Sequence, residues 1–283
     1  MTILREQAYL NTIALPTFRG MRVEDIRQSD IERFLTKCIE RKELSGSTRN
    51  RILSMLSAFF NRAVRNNHMR ENPCRGIPRV KEAMREPPYL DVAAQGKLVA
   101  AFDPPLRSAV ALTLDTGLRL GELLRLDWRD VDLASRTVTV RVSKSKKPRR
   151  VPLTSRGMTA LSEQKARRGD HAPTVPDPVF GELQRPKATG EPDLLPTVRN
   201  EWEAGRARAG YPTLRWHDMR HVFAVTAARA GVPLGDLRLM LGHSSLVMVL
   251  RYAGHAPANS QDLARDRMEA FLKGPPQVHE GVS

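Results

Sequence analysis

The chain has 283 residues, with 46 Lys and Arg against 31 Asp and Glu, a formal net charge of +15. A hydrophobic content of 41% supports a core of ordinary size and excludes global disorder. The surplus of positive charge points to a polyanionic partner, most simply nucleic acid, while 5% aromatic residues argue against single-strand binding by base stacking.

In chain order, "VEDIRQSDIERFLTKCIERKEL" contains a first helix. Ser29 or Asp30 is its N-cap, and Ile31, Phe34, Leu35 and Ile39 stand at helical spacing. "SGST" breaks the chain and caps a second helix, "RNRILSMLSAFFNRAVRNNHM". Its apolar stripe is Ile52, Met55, Leu56, Phe59 and Ala63, with Arg49, Arg51, Arg62 and Arg65 on other faces. "ENPCRGIP" ends it, because a proline and the residue before it leave the helical region. Residues 1–82 are therefore expected to form a small basic helical domain. A charged, proline-bearing linker, "VKEAMREPPYL", leads into a second domain over 83–283.

There "LRSAVALTLDTGLRLGELLRLDW" predicts two helices parted at Thr116 and Gly117. "RTVTVRV" (136–142) alternates as a strand and "RRVPL" is its partner, joined by a cationic hairpin tip, "SKSKKP". Residues 168–196 hold six prolines and little periodicity, and read as an extended loop. Helices resume near 197, weakly interrupted by Gly205. The expected fold class is mostly α with a small antiparallel β-sheet (α+β). Cys38 and Cys74 form no CxxC pair and read as reduced thiols. No signal peptide and no apolar run long enough for a membrane span is evident, so a cytoplasmic protein with no membrane partner is expected.

The chemistry begins at "RWHDMRHVFA", residues 215–224. His217 and Arg220, at i and i+3 of a helix, stand about 60° apart on one face and can aim at one small target. Four further polar residues stand out from apolar surroundings: Arg119 in "TGLRLGELLRL", Lys144 on the hairpin tip, His243 in "LMLGHSS" and Tyr252 in "LVMVLRYAGH", at the end of an apolar helix. Each alone has a structural reading: a surface charge, a solvated lysine guarding an edge, a cap neighbour, a core tyrosine with its hydroxyl satisfied. Together they form a chemical set. Two arginine forks match phosphate oxygens. Two histidines donate hydrogen bonds or move protons near neutral pH. A tyrosine can serve as a covalent nucleophile. The set suits attack of a tyrosine hydroxyl on a phosphodiester, with neither metal nor cofactor.

On "TGLRLGELLRLDWRDVDL", "VSKSKKPRRVPL", "HDMRH", "LGHSS" and "RYA", in that order, the chain resembles the tyrosine recombinases, the site-specific recombinases of the phage integrase type. The resemblance covers roughly residues 20 to 273. It implies a helical core-binding (SAM-like) DNA-binding domain over 1–82 and a tyrosine-recombinase catalytic domain over 83–283. By the same resemblance Arg119 is the first catalytic arginine and Lys144 the hairpin lysine. His217 and Arg220 are the His-x-x-Arg pair, His243 the following histidine and Tyr252 the nucleophile. Glu122 braces the arginine pocket, and His221 supports the fold.

The implied reaction is cleavage and rejoining of double-stranded DNA through a 3′-phosphotyrosyl bond. Arg119, Arg220 and His243 hold the non-bridging oxygens, His217 helps take the tyrosine proton, and Lys144 protonates the leaving 5′-oxygen. Lys146 and Lys147 are neighbours that share the lysine's candidacy. No G-x-x-x-x-G-K-[ST] occurs, in keeping with religation without ATP. The partners implied are double-stranded DNA, a homotetramer on that DNA, and accessory DNA-bending or directionality proteins. The tail "QDLARDRMEAFL" reads as an amphipathic helix that packs on its own domain or, as in relatives, on a neighbouring protomer. An additional N-terminal arm-type domain is not expected, and His255 is given no role. Three readings compete: a metal nuclease using Asp127, Asp130 and Asp132, a type IB topoisomerase, and a non-catalytic DNA-binding protein.

Overall fold

A computed structural model describes residues 15–42, 45–81, 89–141, 148–169, 176–186, 192–258 and 260–272. The chain divides into two compact units, Met1–Arg85 and Glu86–Ser283. Among the described residues no helix is long and apolar enough to cross a membrane.

The first unit is built on helices α1 (Leu15–Phe18), α2 (Gln28–Lys42) and α3 (Gly46–Arg65). α2 starts earlier than the sequence suggests. Asp30 lies inside the first turn and its carboxylate accepts the Arg27 backbone N–H at 3.0 Å. Ser45 caps α3 by accepting the Thr48 N–H at 3.3 Å. Ile31, Phe34 and Leu35 pack on Ile52, Leu53, Leu56 and Phe60. Phe59, expected in that stripe, is 44% exposed and meets Phe60 edge-on instead. The face through Ile52, Leu56, Phe60 and Ala63 takes the core, and Phe59 falls just outside it. Cys74 is a free, buried thiol. The side chains of Cys38 and Ile39 lie outside the described set.

The second unit opens with α4 (Val92–Ala100), α5 (Leu106–Thr116) and the short α6 (Leu120–Leu124). A three-stranded antiparallel sheet follows in the order β1 (Val131–Asp132), β2 (Thr137–Val140), β3 (Arg149–Pro152). Then come α7 (Ser155–Arg168), a β4 (Gln184–Pro186) and β5 (Pro192–Leu194) ribbon, α8 (Pro196–Arg208), α9 (Trp216–Arg229), α10 (Leu234–Leu241), α11 (Val247–Leu250) and α12 (Ser260–Leu272).

α5 is the central pillar, buried at every position but Arg107, and it packs chiefly on α7 and α9. Close approach depends on a glycine: a Cβ on Gly157 would lie 2.2 Å from the Asp115 carboxylate. Asp115 in turn accepts the Thr154 N–H at 3.0 Å and anchors the entry to α7. Trp202 of α8 stacks on Phe102 at 5.5 Å and tilts against Trp216 at 5.0 Å. Gly205 does not interrupt α8; it makes room for Phe102, whose ring a Cβ would approach to 2.1 Å.

Of residues 168–196, expected to be an extended loop, the described part at 176–186 and 192–196 instead sends side chains into the core. Val179, Phe180, Leu183 and Leu194 are buried there, and β4 pairs with β5. Pro186 and Pro192 face each other at the end of this ribbon, and strands bounded by proline are hidden from a periodicity reading. β1 is too short to show a pattern, and β2 starts only after Arg136 closes a turn at a left-handed φ of 51°. The hairpin tip, with Lys144, Lys146 and Lys147, lies outside the described residues. The apolar helix expected before Tyr252 shrinks to four residues, and only Val249 of α11 is buried.

Candidate active site

Arg119 is the N-cap residue of α6, and Gly117 two residues earlier ends α5 at a left-handed φ of 64°. A side chain at Gly117 would collide with the Phe223 ring, 2.4 Å from a Cβ, so glycine serves both the turn and the packing. Glu122 holds Arg119 in place. Its carboxylate accepts the Arg119 backbone N–H at 3.0 Å and the Arg119 Nη1 at 2.9 Å. The same two carboxylate oxygens also accept Arg149 of β3, through Nη1 at 3.1 Å and Nη2 at 2.7 Å. Burial pushes the Glu122 carboxyl up. The hydrogen bonds and charge of Arg149, joined by the Arg119 N–H and guanidinium, outweigh that push and hold it below the usual carboxylate range.

Arg149 was not singled out from the sequence. It stands beside Arg150 in "RRVPL", and only strand alternation separates the buried one from the exposed one. Its Nε donates to the Met240 carbonyl at 2.9 Å, and its side chain fills the space beside Gly242, where a Cβ would come within 3.0 Å. One side chain therefore ties β3, the Arg119 turn and the end of α10.

Arg220 is buried on α9. Nη1 donates to the Gly117 carbonyl at 2.6 Å and Nη2 to the Leu241 carbonyl. It thus joins the turn before Arg119 to the turn before His243. Burial and then the neighbouring Arg119 charge push its guanidinium down to about 9. His243 follows Gly242, which ends α10 at a left-handed φ of 65°. Its Nδ1 is buried and finds no hydrogen-bond partner among the described residues. Burial, then Arg220 and Arg119, lower its imidazole to about 4.

Tyr252 is buried just past α11, and its hydroxyl lies 2.6 Å from His221 Nδ1. Burial raises the phenol above its ordinary value, against the opposing pull of Arg251 and Arg220. His221, read from the sequence as a fold residue, thus touches the candidate nucleophile. Burial, His217 and Arg251 bring its imidazole down to about 4. His217 is more exposed and stands edge-on to His221, ring centroids 5.1 Å apart; desolvation, then Arg220 and Arg119, lower its pKa. The structure therefore gathers Arg119, His217, Arg220, His243 and Tyr252 within one electrostatic neighbourhood, with Arg251 at its edge. Lys144 is outside the described residues.

The three carboxylates of the nuclease reading have other work. Asp127 accepts Arg129 through its backbone N–H, Nε and Nη2, and also the Asp177 N–H. The Arg129 hydrogen bond leads in holding the Asp127 carboxyl far below the usual range. Asp130 pairs with Arg141, and Asp132 caps the turn at Ser135. Asp127 and Asp130 belong to the polar turn between α6 and β1, and Asp132 to the turn that follows β1.

Known proteins share this plan. The pattern of the Phage integrase family matches residues 90–259, and that of the phage integrase N-terminal SAM-like domain matches residues 9–67. The integrase of Salmonella phage P22 is 27% identical over 294 aligned positions, covering 93% of this chain and 75% of its own. A tyrosine recombinase of Thermosipho africanus (strain TCF52B) is 25% identical, over 81% of this chain and 81% of its own. In fold, the chain is similar to lambda integrase crystallised as a tetramer bound to a Holliday junction. The TM-score is 0.70 over 89% of this chain and 71% of that one, at 21% identity. The protein belongs to the phage integrase family and is a tyrosine-type site-specific recombinase.

Proposed function

We propose that the protein cuts and rejoins duplex DNA through a 3′-phosphotyrosyl bond to Tyr252, without metal or ATP. The observation that carries this reading is a buried tyrosine beside His221 and Arg220, with Arg119, His217 and His243 gathered around that same arginine. Arg119, Arg220 and His243 take the non-bridging oxygens of the scissile phosphate. The two guanidiniums are fixed beforehand by Glu122, the Gly117 carbonyl and the Leu241 carbonyl, so little reorganisation of them accompanies the charge build-up. Loss of one such donor costs about 10²–10³ in rate. His217 helps to draw off the phenolic proton. A lysine of the hairpin, Lys144, protonates the leaving 5′-oxygen. The guanidiniums supply the positive charge that a metal supplies elsewhere, and the covalent intermediate conserves the phosphodiester bond for religation.

Residues 1–82 act as the core-binding domain and 83–283 as the catalytic domain, and the working unit is a homotetramer on double-stranded DNA. Lambda integrase, of the same fold, is known as such a tetramer on a Holliday junction. The test is covalent trapping. Wild-type protein and Tyr252→Phe are incubated with fragmented DNA of the source genome in the presence of EDTA, stopped with SDS, and the protein-linked ends are sequenced. Linked 3′ ends at one recurring sequence, lost in Tyr252→Phe, are expected. Linkage that survives in Tyr252→Phe, or that needs a divalent metal, overturns the reading.

A further inference from the structure

We infer that His221, through Nδ1, is the base that accepts the Tyr252 phenolic proton as the tyrosine oxygen attacks phosphorus. The inference rests on the reading of Tyr252 as nucleophile.

Reach selects the residue. A general base must lie within hydrogen-bond distance of the proton it takes. Nδ1 of His221 is 2.6 Å from Tyr252 Oη. His217 makes no hydrogen bond to Tyr252 among the described residues and meets His221 edge-to-face instead. It therefore acts on the phenol through His221. The helix explains why one element serves two purposes. His217, Arg220 and His221 are i, i+3 and i+4 on α9, so a single face carries a phosphate-binding arginine and the base beside it.

The step balances. The Oη–P bond forms while the phenolic proton passes to Nδ1. The P–O5′ bond breaks and the 5′-oxygen takes a proton from the general acid. In rejoining, the 5′-hydroxyl attacks phosphorus and the His221 imidazolium returns its proton to the departing Tyr252 oxygen. No oxidant or cofactor enters.

The charge environment makes the base conditional on substrate. His217, Asp218 and Arg220 of α9 face His221, His243 faces it from the turn after α10, and Arg251 and Tyr252 face it from the turn after α11. Burial and the positive members keep the imidazole neutral near pH 7, and in the tautomer protonated at Nε2 its Nδ1 accepts the phenolic hydrogen. A phosphodiester held by Arg220 offsets that positive charge and raises the imidazole's basicity at the moment it is needed.

The experiment measures the single-turnover rate of SDS-stable linkage on the same genomic duplex fragments. It compares wild type, His221→Asn, His221→Gln and Tyr252→Phe between about pH 5 and pH 9. Asparagine and glutamine can still accept a hydrogen bond from the phenol but cannot take its proton. Both variants should lose about 10²-fold or more in rate at neutral pH with unaltered DNA affinity. Their rate should climb steadily with pH, where the wild type levels off. Linkage at the wild-type rate with the wild-type pH profile in either folded variant means that His221 only positions the tyrosine, and overturns this inference alone. Absence of any Tyr252-dependent linkage in wild type instead overturns the nucleophile reading beneath it.

Discussion

Arg149→Met tests whether the buried Glu122 node is what holds the arginine pocket together. Methionine fills much of the same volume, so the change is chiefly one of charge and hydrogen bonding. In the wild type the Glu122 side chain is 3% exposed and the Arg149 side chain 8%. Glu122 receives two N–H donors from Arg149 and two from Arg119. The substitution removes half of them and also the donor to the Met240 carbonyl. Removing one partner of a buried pair costs about 3–5 kcal/mol, because a buried charge is left uncompensated. Arg119 remains, so the lower end applies. For a domain of this size about 3 kcal/mol lowers Tm by about 6–12 °C.

Tryptophan fluorescence reads the right unit, since Trp128, Trp202 and Trp216 all lie in Glu86–Ser283. Two further results distinguish charge from packing. Adding Glu122→Gln to Arg149→Met removes the stranded charge, so the double variant should recover part of the loss. The pH dependence should also change sign at this residue. In the wild type Glu122 is held below the usual range, so its stabilisation is present above the unfolded pKa and is lost as pH falls through the folded one. In Arg149→Met burial prevails and lifts the carboxyl above its unfolded value, so the deficit shrinks toward about pH 4. An Arg149→Met protein as stable as wild type, or one whose deficit is independent of pH and unrelieved by Glu122→Gln, would refute the reasoning.

Gly205→Ala should destabilise the second unit by about 1–3 kcal/mol through overpacking. Its Cβ would press on Phe102, which is pinned by Trp202, and an unchanged Tm would show that the ring can yield. The second unit should also lose stability as pH falls from about 6.5, the unfolded histidine value, toward 4. His221 and His243 titrate near 4 when folded, so the unfolded chain binds more protons across that window. Chemical denaturation at a series of pH values measures this slope, and His221→Asn should reduce it; an unaltered slope would contradict the assignment. Truncation after residue 258 should spare salt-sensitive DNA binding yet weaken assembly on DNA. α12 leaves Met268 66% and Leu272 79% exposed, free to meet a neighbouring protomer. Sedimentation of the DNA complex reads the outcome, and an assembly of unaltered size would count against it.

What the sequence makes legible follows local physics. Gly117 ends α5 because the turn needs a left-handed residue, and that requirement is visible in "DTGLR". Strands β2 and β3 show their alternation, and Ser45 announces α3 by its capping chemistry. Where two similar neighbours compete for one role, local rules fall silent. Phe59 and Phe60 are equally apolar, and the helix phase set by α2 decides which is buried. The segment with six prolines offers no period, yet its Phe180 is fully buried because the body of the unit supplies a cavity for it. α11 errs in the opposite direction: "LVMVL" is apolar enough for a core helix, but Val247 is 72% exposed.

The candidate site divides along the same line. Residue types and spacings point to Arg119, His217, Arg220, His243 and Tyr252, because phosphate chemistry asks for those groups. The residues that aim them are fixed by partners far along the chain. Arg149 matters through Glu122, 27 residues away, and His221 through Tyr252, 31 residues away. Neither partner can be read from the neighbourhood of the residue itself. Arg150 and His217 carry the same chemistry one strand position or one helical turn away, and the fold alone distinguishes them. A substitution that preserves residue type but moves it by that small step should therefore keep the sequence motif and lose the geometry.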